Sequence, residues 1–478
     1  MSNHPVDKIV SLFEKISAIP RGTGREAALS AWLQAWAAAR GYAAKIDPAG
    51  NLLICVPASP GCESAPILIL QGHMDMVCEK APESTHDFLR DPIRPVVDGE
   101  WLRADGTTLG ADNGIAIALA LALVEADEIR RPALELLFTV EEEVGIGGAN
   151  RLPPGFAEGK ILINLDSEEE GTFIVGCAGG QGTQIRMGLW FEPLSDWQAY
   201  QLHVSGLQGG HSGIDIHKHR ANANILLART LARIRGRVPM RIAGLKGGTA
   251  HNAIPREAQA CIAFDSGDYA VVEQVVREFE HKLLGEYAGI ESGLSLTLGK
   301  CDAERAVNEV GSEKLIQLLL AIPHGVAHMS ASVAGFVETS DNFASMEIRG
   351  DELFLATSQR STVMSRLEEL TERIGAIALL AGAQVRHTDG YPAWQPDMDS
   401  PLLQRSRQIY EALFASAPKV EMIHAGLECG VIGAIFGGMD MISLGATIRD
   451  PHSPQERLHL PSVGRLWQFL TALVESYC

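Results

Sequence analysis

The sequence predicts an α/β protein, a central sheet flanked by helices, with a second segment of α+β character inserted into it. Short apolar runs alternate with helix-like segments, and the runs are apolar at successive positions, as strands buried between two helix layers must be. The chain changes character around Glu192-Pro193-Leu194-Ser195-Asp196, and residues that belong with its first part return near its end. At 478 residues it also exceeds what one hydrophobic core usually supports.

Pro5 opens a helix whose apolar residues Ile9, Leu12, Phe13 and Ile16 recur at helical spacing, and Leu29, Trp32, Leu33 and Trp36 mark a second helix ending near Gly41. The turn-like Asp47-Pro48-Ala49-Gly50-Asn51 follows. Strands are expected over 67–70, 134–140 and 161–165, with a helix over 114–124 between the first two. A strand over 200–204, a Gly-rich loop and a long helix over 222–235 begin the inserted segment. The expected boundaries are 1–189 and 391–478 for the first domain and 190–390 for the insertion.

Apolar residues make up 46 % and charged residues 21 %, which is ordinary for a globular chain and unlike a disordered one. Forty basic against 59 acidic side chains give a net charge of −19, which argues against nucleic acid or an anionic membrane as partner and favours divalent cations. The eight cysteines are scattered, with no CxxC pair and no secreted framework, and are expected to be reduced thiols. Asp7, Lys8, Glu14 and Lys15 interrupt any N-terminal signal, and the apolar run over 115–124 is too short to span a bilayer. The expected compartment is the cytoplasm.

Each apolar run of the first domain ends in polar residues: Gln71-Gly72-His73-Met74-Asp75, then Glu141-Glu142-Glu143, then Asp166-Ser167-Glu168. Ligands gather where the strands of open α/β sheets end. Asp112 in Gly110-Ala111-Asp112-Asn113-Gly114 and His452 in Pro451-His452-Ser453-Pro454 extend the set. Imidazole and carboxylate without paired cysteines suit a hydrolytic zinc site, which keeps a position for water, better than a structural one. Singly, each residue is equally well a hydrogen-bonded loop residue or a solvated acid. As a set they differ, because three consecutive acids after an apolar strand repel one another unless a cation lies between them.

The strings QGHMDMV, TLGADNGIAIALAL, FTVEEEVGIGGA, LDSEEEG, HSGIDIHKHRANA, AHNAIPREA and DPHSPQERL, in that order, resemble the M20-type metallopeptidases of the zinc exopeptidase superfamily, and most of all their Xaa-His dipeptidase branch. The resemblance covers nearly the whole chain. It implies a zinc-exopeptidase-like catalytic domain with a central mixed sheet, an inserted α+β lid or dimerisation domain, a dipeptide substrate and a homodimer. It also implies two Zn2+ per subunit, with Co2+ or Mn2+ able to replace them. Asp112 would bridge the ions, His73 and Asp166 completing one site, Glu143 and His452 the other. Asp75 would orient the His73 imidazole. Glu142 would be the general base for a water acidified by the metal pair. A one-residue shift in the triplet, with Glu142 as ligand and Glu143 as a surface acid, is the alternative. His211 would stabilise the oxyanion, reaching the site from the partner subunit in dimeric members. Asn252, Arg360 and Gly426 match positions near the substrate's C-terminal end. His217 and His219 are expected at the surface, and the string from Val337 to Asn342 resembles a further motif without an assigned chemical role. The other functions open to the same centre are a broader aminopeptidase, an acyl-amino-acid deacylase, or a metal-binding scaffold without activity.

Overall fold

The computed structural model describes residues 5–331 and 333–478. They form two compact units, one from the residues up to Cys177 together with Trp394–Cys478, the other Ala178–Ala393. The boundary expected at 189/190 therefore falls at Cys177/Ala178, because the strand Gly179–Gly188 pairs along its whole length with Glu352–Ser361 and belongs with the insertion. The second, expected at 390/391, falls at Ala393/Trp394.

In the first unit, helices α1 (Pro5–Ser17), α2 (Ala27–Ala38), α3 (Ala111–Val124), α4 (Pro401–Phe414), α5 (Glu428–Phe436) and α6 (Leu460–Glu475) accompany one eight-stranded sheet. Its strands are β1 (Ala43–Ile46), β2 (Leu52–Val56), β3 (Leu68–His73), β4 (Leu134–Thr139), β5 (Ile161–Asn164), β6 (Thr172–Cys177), β7 (Lys419–Ile423) and β8 (Asp440–Ser443), in the order β1-β2-β4-β3-β5-β8-β6-β7. Strand β3 runs parallel to β4 and β5, and β8 parallel to β5, while β1, β2 and β4 pair antiparallel, so the sheet is mixed. Every residue of β3 and β4 is buried, which is why Leu68, Ile69 and Leu70 of the one and Leu136, Leu137 and Phe138 of the other are apolar at successive positions.

Helix α1 buries the stripe Ile9, Leu12, Phe13 and Ile16, and α2 buries Leu29, Leu33 and Trp36. Helix α3 is apolar on all sides and buried from Asn113 to Val124, packed between α1 and β3. That approach depends on Gly72, where a Cβ would lie 2.8 Å from the Ala116 Cβ and collide with the Asn113 side chain. The turn at Asp47 is held by its own carboxylate, whose Oδ1 accepts the amides of Ala49, Gly50 and Asn51 at 2.9 Å each.

Two cysteines correct the expectation of eight thiols: Cys62 and Cys478 are disulfide-bonded. They are 416 residues apart in sequence, so no spacing pattern announces the pair. Among the described residues no helix is long and apolar enough to cross a membrane.

The second unit is α+β. Nine antiparallel strands form its main sheet, eight of them in the order Ser295–Lys300, Gln198–Ser205, Ala258–Phe264, Arg241–Gly247, Val337–Arg349, Glu352–Ser361, Gly179–Gly188 and Gln384–His387, with Gly325–Met329 paired to Val337–Arg349. Helices Ala223–Arg235 and Tyr269–Glu286 pack against it through Leu226, Leu227, Leu231, Val272, Val276 and Phe279. Asn222 caps the first of these, its side chain accepting the amides of Asn224 and Ile225.

Candidate metal centre and substrate cavity

The register of the first sheet sets the candidate metal centre. His73 lies opposite Thr139, and Gln71 opposite Asn164, so the residues that follow β3, β4 and β5 leave the sheet along one edge. There His73 Nε2 is 3.0 Å from Asp112 Oδ1 and 3.3 Å from Asp166 Oδ1. His452 Nε2 is 3.0 Å from Asp112 Oδ2 and 3.1 Å from Glu143 Oε2. The two oxygens of Asp112 thus face two different imidazoles. One ligand atom each from His73, Asp112 and Glu143 lie within 4.8 Å of one another.

Within the acidic triplet, Glu143 is the member that meets His452, while Glu141 turns to Arg151 at 2.7 Å. Asp75 lies beneath the cluster. Its Oδ1 is 3.3 Å from His73 Nδ1 and accepts the Glu142 amide at 3.0 Å, and its Oδ2 accepts the Glu143 amide at 3.2 Å and the Thr23 hydroxyl at 3.0 Å. Glu141, Asp450 and His452 have φ of 52–57°, in the left-handed region that costs a non-glycine residue about 1–3 kcal/mol.

Burial disfavours a charged His73, yet the Asp166, Asp112 and Asp75 carboxylates outweigh it and hold the imidazole well above its ordinary pKa. His452 is pushed up to about 11 against the same burial by Asp112 and Glu143. Burial raises the carboxyls of Glu143 and Asp166, and the neighbouring charge of Asp112 adds to it. Asp112 falls below the usual carboxylate range because both imidazoles overcome its burial. The cluster therefore gathers more negative charge than its imidazoles neutralise. Glu143 Oε1 is buried and accepts no hydrogen bond, and Asp166 Oδ1 has only the 3.3 Å contact with His73 Nε2. Two imidazoles and three carboxylates with an unsatisfied buried oxygen fit a divalent cation such as zinc, cobalt or manganese.

In the second unit His211 sits on the short strand Gly210–His211, paired with Ala253–Ile254. The amides of Gly213 and Ile214 both donate to its Nδ1, at 3.2 and 3.1 Å, which leaves the proton of the neutral ring on Nε2. His211 and Asn252 line one cavity of about 570 Å3 together with Thr249 and Arg256. The Asn252 carbonyl accepts the Ser212 amide at 2.8 Å. Arg360 does not line that cavity. It is buried in its strand, where its Nη1 donates to the Tyr391 hydroxyl at 2.7 Å, and burial together with its charge lowers the pKa of His251 beside Asn252. Gly426 lies in the first unit, in the loop between β7 and α5. His217 and His219 are exposed.

Several groups near these sites were not singled out from sequence. Glu428, the first residue of α5, is fully buried, accepts hydrogen bonds from Gln71 and Thr139 at 2.5 and 2.8 Å, and is pushed up to about 7 by burial. Glu168 is pushed up to about 8 by burial and then by Asp112. Asn342 supplies the contact that its motif lacked, since its Nδ2 donates to the carbonyls of His251 and Ala253, at 3.3 and 2.9 Å, on either side of Asn252. Glu168 and Asn342 stand inside polar strings, where polarity alone did not distinguish them from surface residues, whereas Glu428 is a lone acid in the apolar, Gly-rich segment 425–432, a signal that could have marked it.

A carboxylate shared between two imidazoles at the ends of parallel strands is the equipment of a metal-dependent hydrolase, and this chain is of that class. Residues 69–476 match the model of peptidase family M20/M25/M40, and the chain belongs to that family; it is a metallopeptidase. It is 40 % identical over 466 residues to the cytosol non-specific dipeptidase of Escherichia coli K12, covering 97 % of this chain and 96 % of the relative. The crystal structure of aminoacylhistidine dipeptidase from Vibrio alginolyticus superposes with a TM-score of 0.84 at 37 % identity, covering 98 % of this chain and 96 % of that one. Human carnosine dipeptidase 1 shares the fold alone, with a TM-score of 0.52 at 11 % identity over 99 % of this chain and 96 % of that one.

Proposed function

We propose that the protein is a dinuclear zinc dipeptidase that hydrolyses unblocked dipeptides, Xaa-His among them, in the cytoplasm. The observation that carries the reading is the two-sided carboxylate of Asp112, one oxygen toward His73 and the other toward His452. A carboxylate can hold two cations in this way, whereas a neutral imidazole cannot. His73 and Asp166 complete one position, Glu143 and His452 the other. The names of the two similar dipeptidases support the substrate class, and they differ on how strictly histidine is required.

Bound divalent ions would polarise the scissile carbonyl and acidify the attacking water. Asp75 keeps the His73 ring oriented and ties down the backbone of Glu142 and Glu143. Glu141 is engaged by Arg151 and Glu143 by His452, which leaves Glu142 as the member of the triplet that takes a proton from water and passes it to the leaving amine. His211 donates from Nε2 to the oxygen on which charge develops, a role supported by the two amides that occupy its Nδ1. In this reading the second unit is a lid and dimerisation domain, and His211 serves the partner subunit of a homodimer. Asn252, Arg360 and the Gly426 loop hold the substrate's free carboxylate.

Metal analysis beside kinetics tests the assignment. Asp112→Ala loses metal and activity together, whereas Glu142→Gln retains two ions and loses about 10²–10⁴-fold in kcat. A Glu142→Gln protein without metal, beside a Glu143→Gln protein with two ions, would exchange the roles of those residues. Equal turnover of N-acyl amino acids and free dipeptides would favour the deacylase reading.

A further inference from the structure

Two buried, oppositely charged side chains converge on the turn that carries Asp112. Glu456 follows His452 by four residues and is 2 % exposed. Its Oε2 accepts the amides of Leu109 and Gly110 at 2.8 and 2.9 Å, and its Oε1 those of Ala111 and Asp112 at 2.8 and 3.3 Å. Arg21 is 1 % exposed. Its Nη1 donates to the carbonyls of Met74 and Asp75 at 3.0 and 2.9 Å, and its Nη2 to the carbonyl of Gly110. Gly110 is therefore gripped from both ends, its N–H by an anion and its carbonyl by a cation. Its φ is +71°, and a Cβ there would lie 2.6 Å from Arg21 Nη2, so only glycine fits the grip.

These contacts join three loops. Arg21 fastens the His73–Asp75 segment to the Gly110 turn, and Glu456 fastens the His452 loop to the same turn. Asp112 lies two residues beyond Gly110, and its oxygens must each stay near a different imidazole. A small rotation of the turn would move both oxygens at once, since they belong to one rigid carboxylate.

We propose that Arg21 and Glu456 are positioning residues that hold the Asp112 carboxylate between its two imidazoles, and that they thereby set the affinity of both metal positions together. The inference rests on the bridging role given to Asp112 above. Both side chains are buried and act through backbone groups. The competing explanation is a helix cap and a loop brace that serve stability alone, and Glu135 supplies a matched control for it. Glu135 is also buried, and its carboxylate accepts the amides of Glu158 and Gly159 at 2.9–3.1 Å, but it lies at the far end of β4 from the metal centre.

The test uses the full chain stripped of metal and titrated with Zn2+ or Co2+ against a chromogenic chelator, with urea unfolding measured alongside. Glu456→Gln leaves one carbonyl oxygen where two took four amides, and Arg21→Lys puts one nitrogen where two separate ones served the Met74–Asp75 carbonyls and that of Gly110. Both are expected to weaken the two ions in parallel by about 10- to 100-fold. Glu456→Asp keeps the charge, guards against a variant that fails to fold, and is expected to restore part of the affinity. Glu135→Gln lowers the unfolding midpoint and leaves metal affinity unchanged. Folded Glu456→Gln and Arg21→Lys proteins with wild-type affinity, or with only one ion weakened, overturn the inference. Wild-type protein that binds fewer than two ions overturns the bridging role of Asp112 itself, a result visible before any variant is made.

Discussion

Asp75→Asn replaces a buried carboxylate by an amide of the same shape and should damage the centre without touching a metal ligand. Both Asp75 oxygens act as acceptors: Oδ1 faces His73 Nδ1 and the Glu142 amide, and Oδ2 the Glu143 amide and the Thr23 hydroxyl. A carboxamide has one oxygen, so in either orientation one of the two backbone amides meets an NH2 group. An unsatisfied buried donor costs about 1–3 kcal/mol. The charge that raises the basicity of the His73 ring also disappears, and loss of such a partner typically costs about 10- to 100-fold in metal affinity. The expected outcome is a folded protein with a lower urea midpoint and weaker metal binding, whose activity is recovered in part by excess metal. Chelator competition, urea unfolding and kinetics across a metal titration read the three effects. Wild-type metal affinity with wild-type stability would refute the account of Asp75, and a loss of activity that no metal concentration relieves would give Asp75 a direct part in the chemistry.

Arg360→Ala should lower kcat/KM for free dipeptides by roughly 30-fold to several thousand-fold, the equivalent of about 2–5 kcal/mol, and leave the C-terminal amides nearly unaffected; equal effects on acid and amide would remove Arg360 from carboxylate binding. Asn342→Ala frees the carbonyls on both sides of Asn252, and two lost hydrogen bonds of about 0.5–1.5 kcal/mol each predict a KM raised up to about 5- to 150-fold with kcat less affected, as steady-state kinetics would show. Hybrid dimers made from inactive Glu142→Gln and His211→Ala subunits should regain part of the activity if His211 works across the dimer, and none if it serves its own chain. Burial pushes the Asp341 carboxyl up to about 8 from its ordinary 3.8. Its folded form therefore binds the proton more tightly, and that contribution, complete below about pH 4, is lost as pH rises through 8. Asp341→Asn should withstand more urea than wild type above pH 8, with the gap closing toward pH 4; a pH-independent difference would refute this.

Much of the first unit was legible because its signals are local. The stripe in α1, the apolar α3 and the successive apolar residues of β3 and β4 each follow from where a single element must bury its side chains. The strand Gly179–Gly188 was not legible. It carries glycine at four of its ten positions, and it is a strand because Glu352–Ser361 pairs with it, so the domain boundary moved with it. The Cys62–Cys478 disulfide was hidden by its separation of 416 residues. Arg360 shows a further limit, since a motif match named the residue but not the Tyr391 hydroxyl that holds it.

The sequence by itself determined which side chains could bind metal, because imidazole and carboxylate are properties of single residues and the strand ends that present them are local. Glu143 beside His452 and Asp112 between two histidines were expected from the resemblance, but only the tertiary structure decided their distances and that Arg21 and Glu456 close on Gly110. The physical reason is that these relations depend on sheet register and on backbone amides and carbonyls. Every residue but proline carries both groups, so they leave no mark in the sequence, and the residues they join lie up to 347 positions apart.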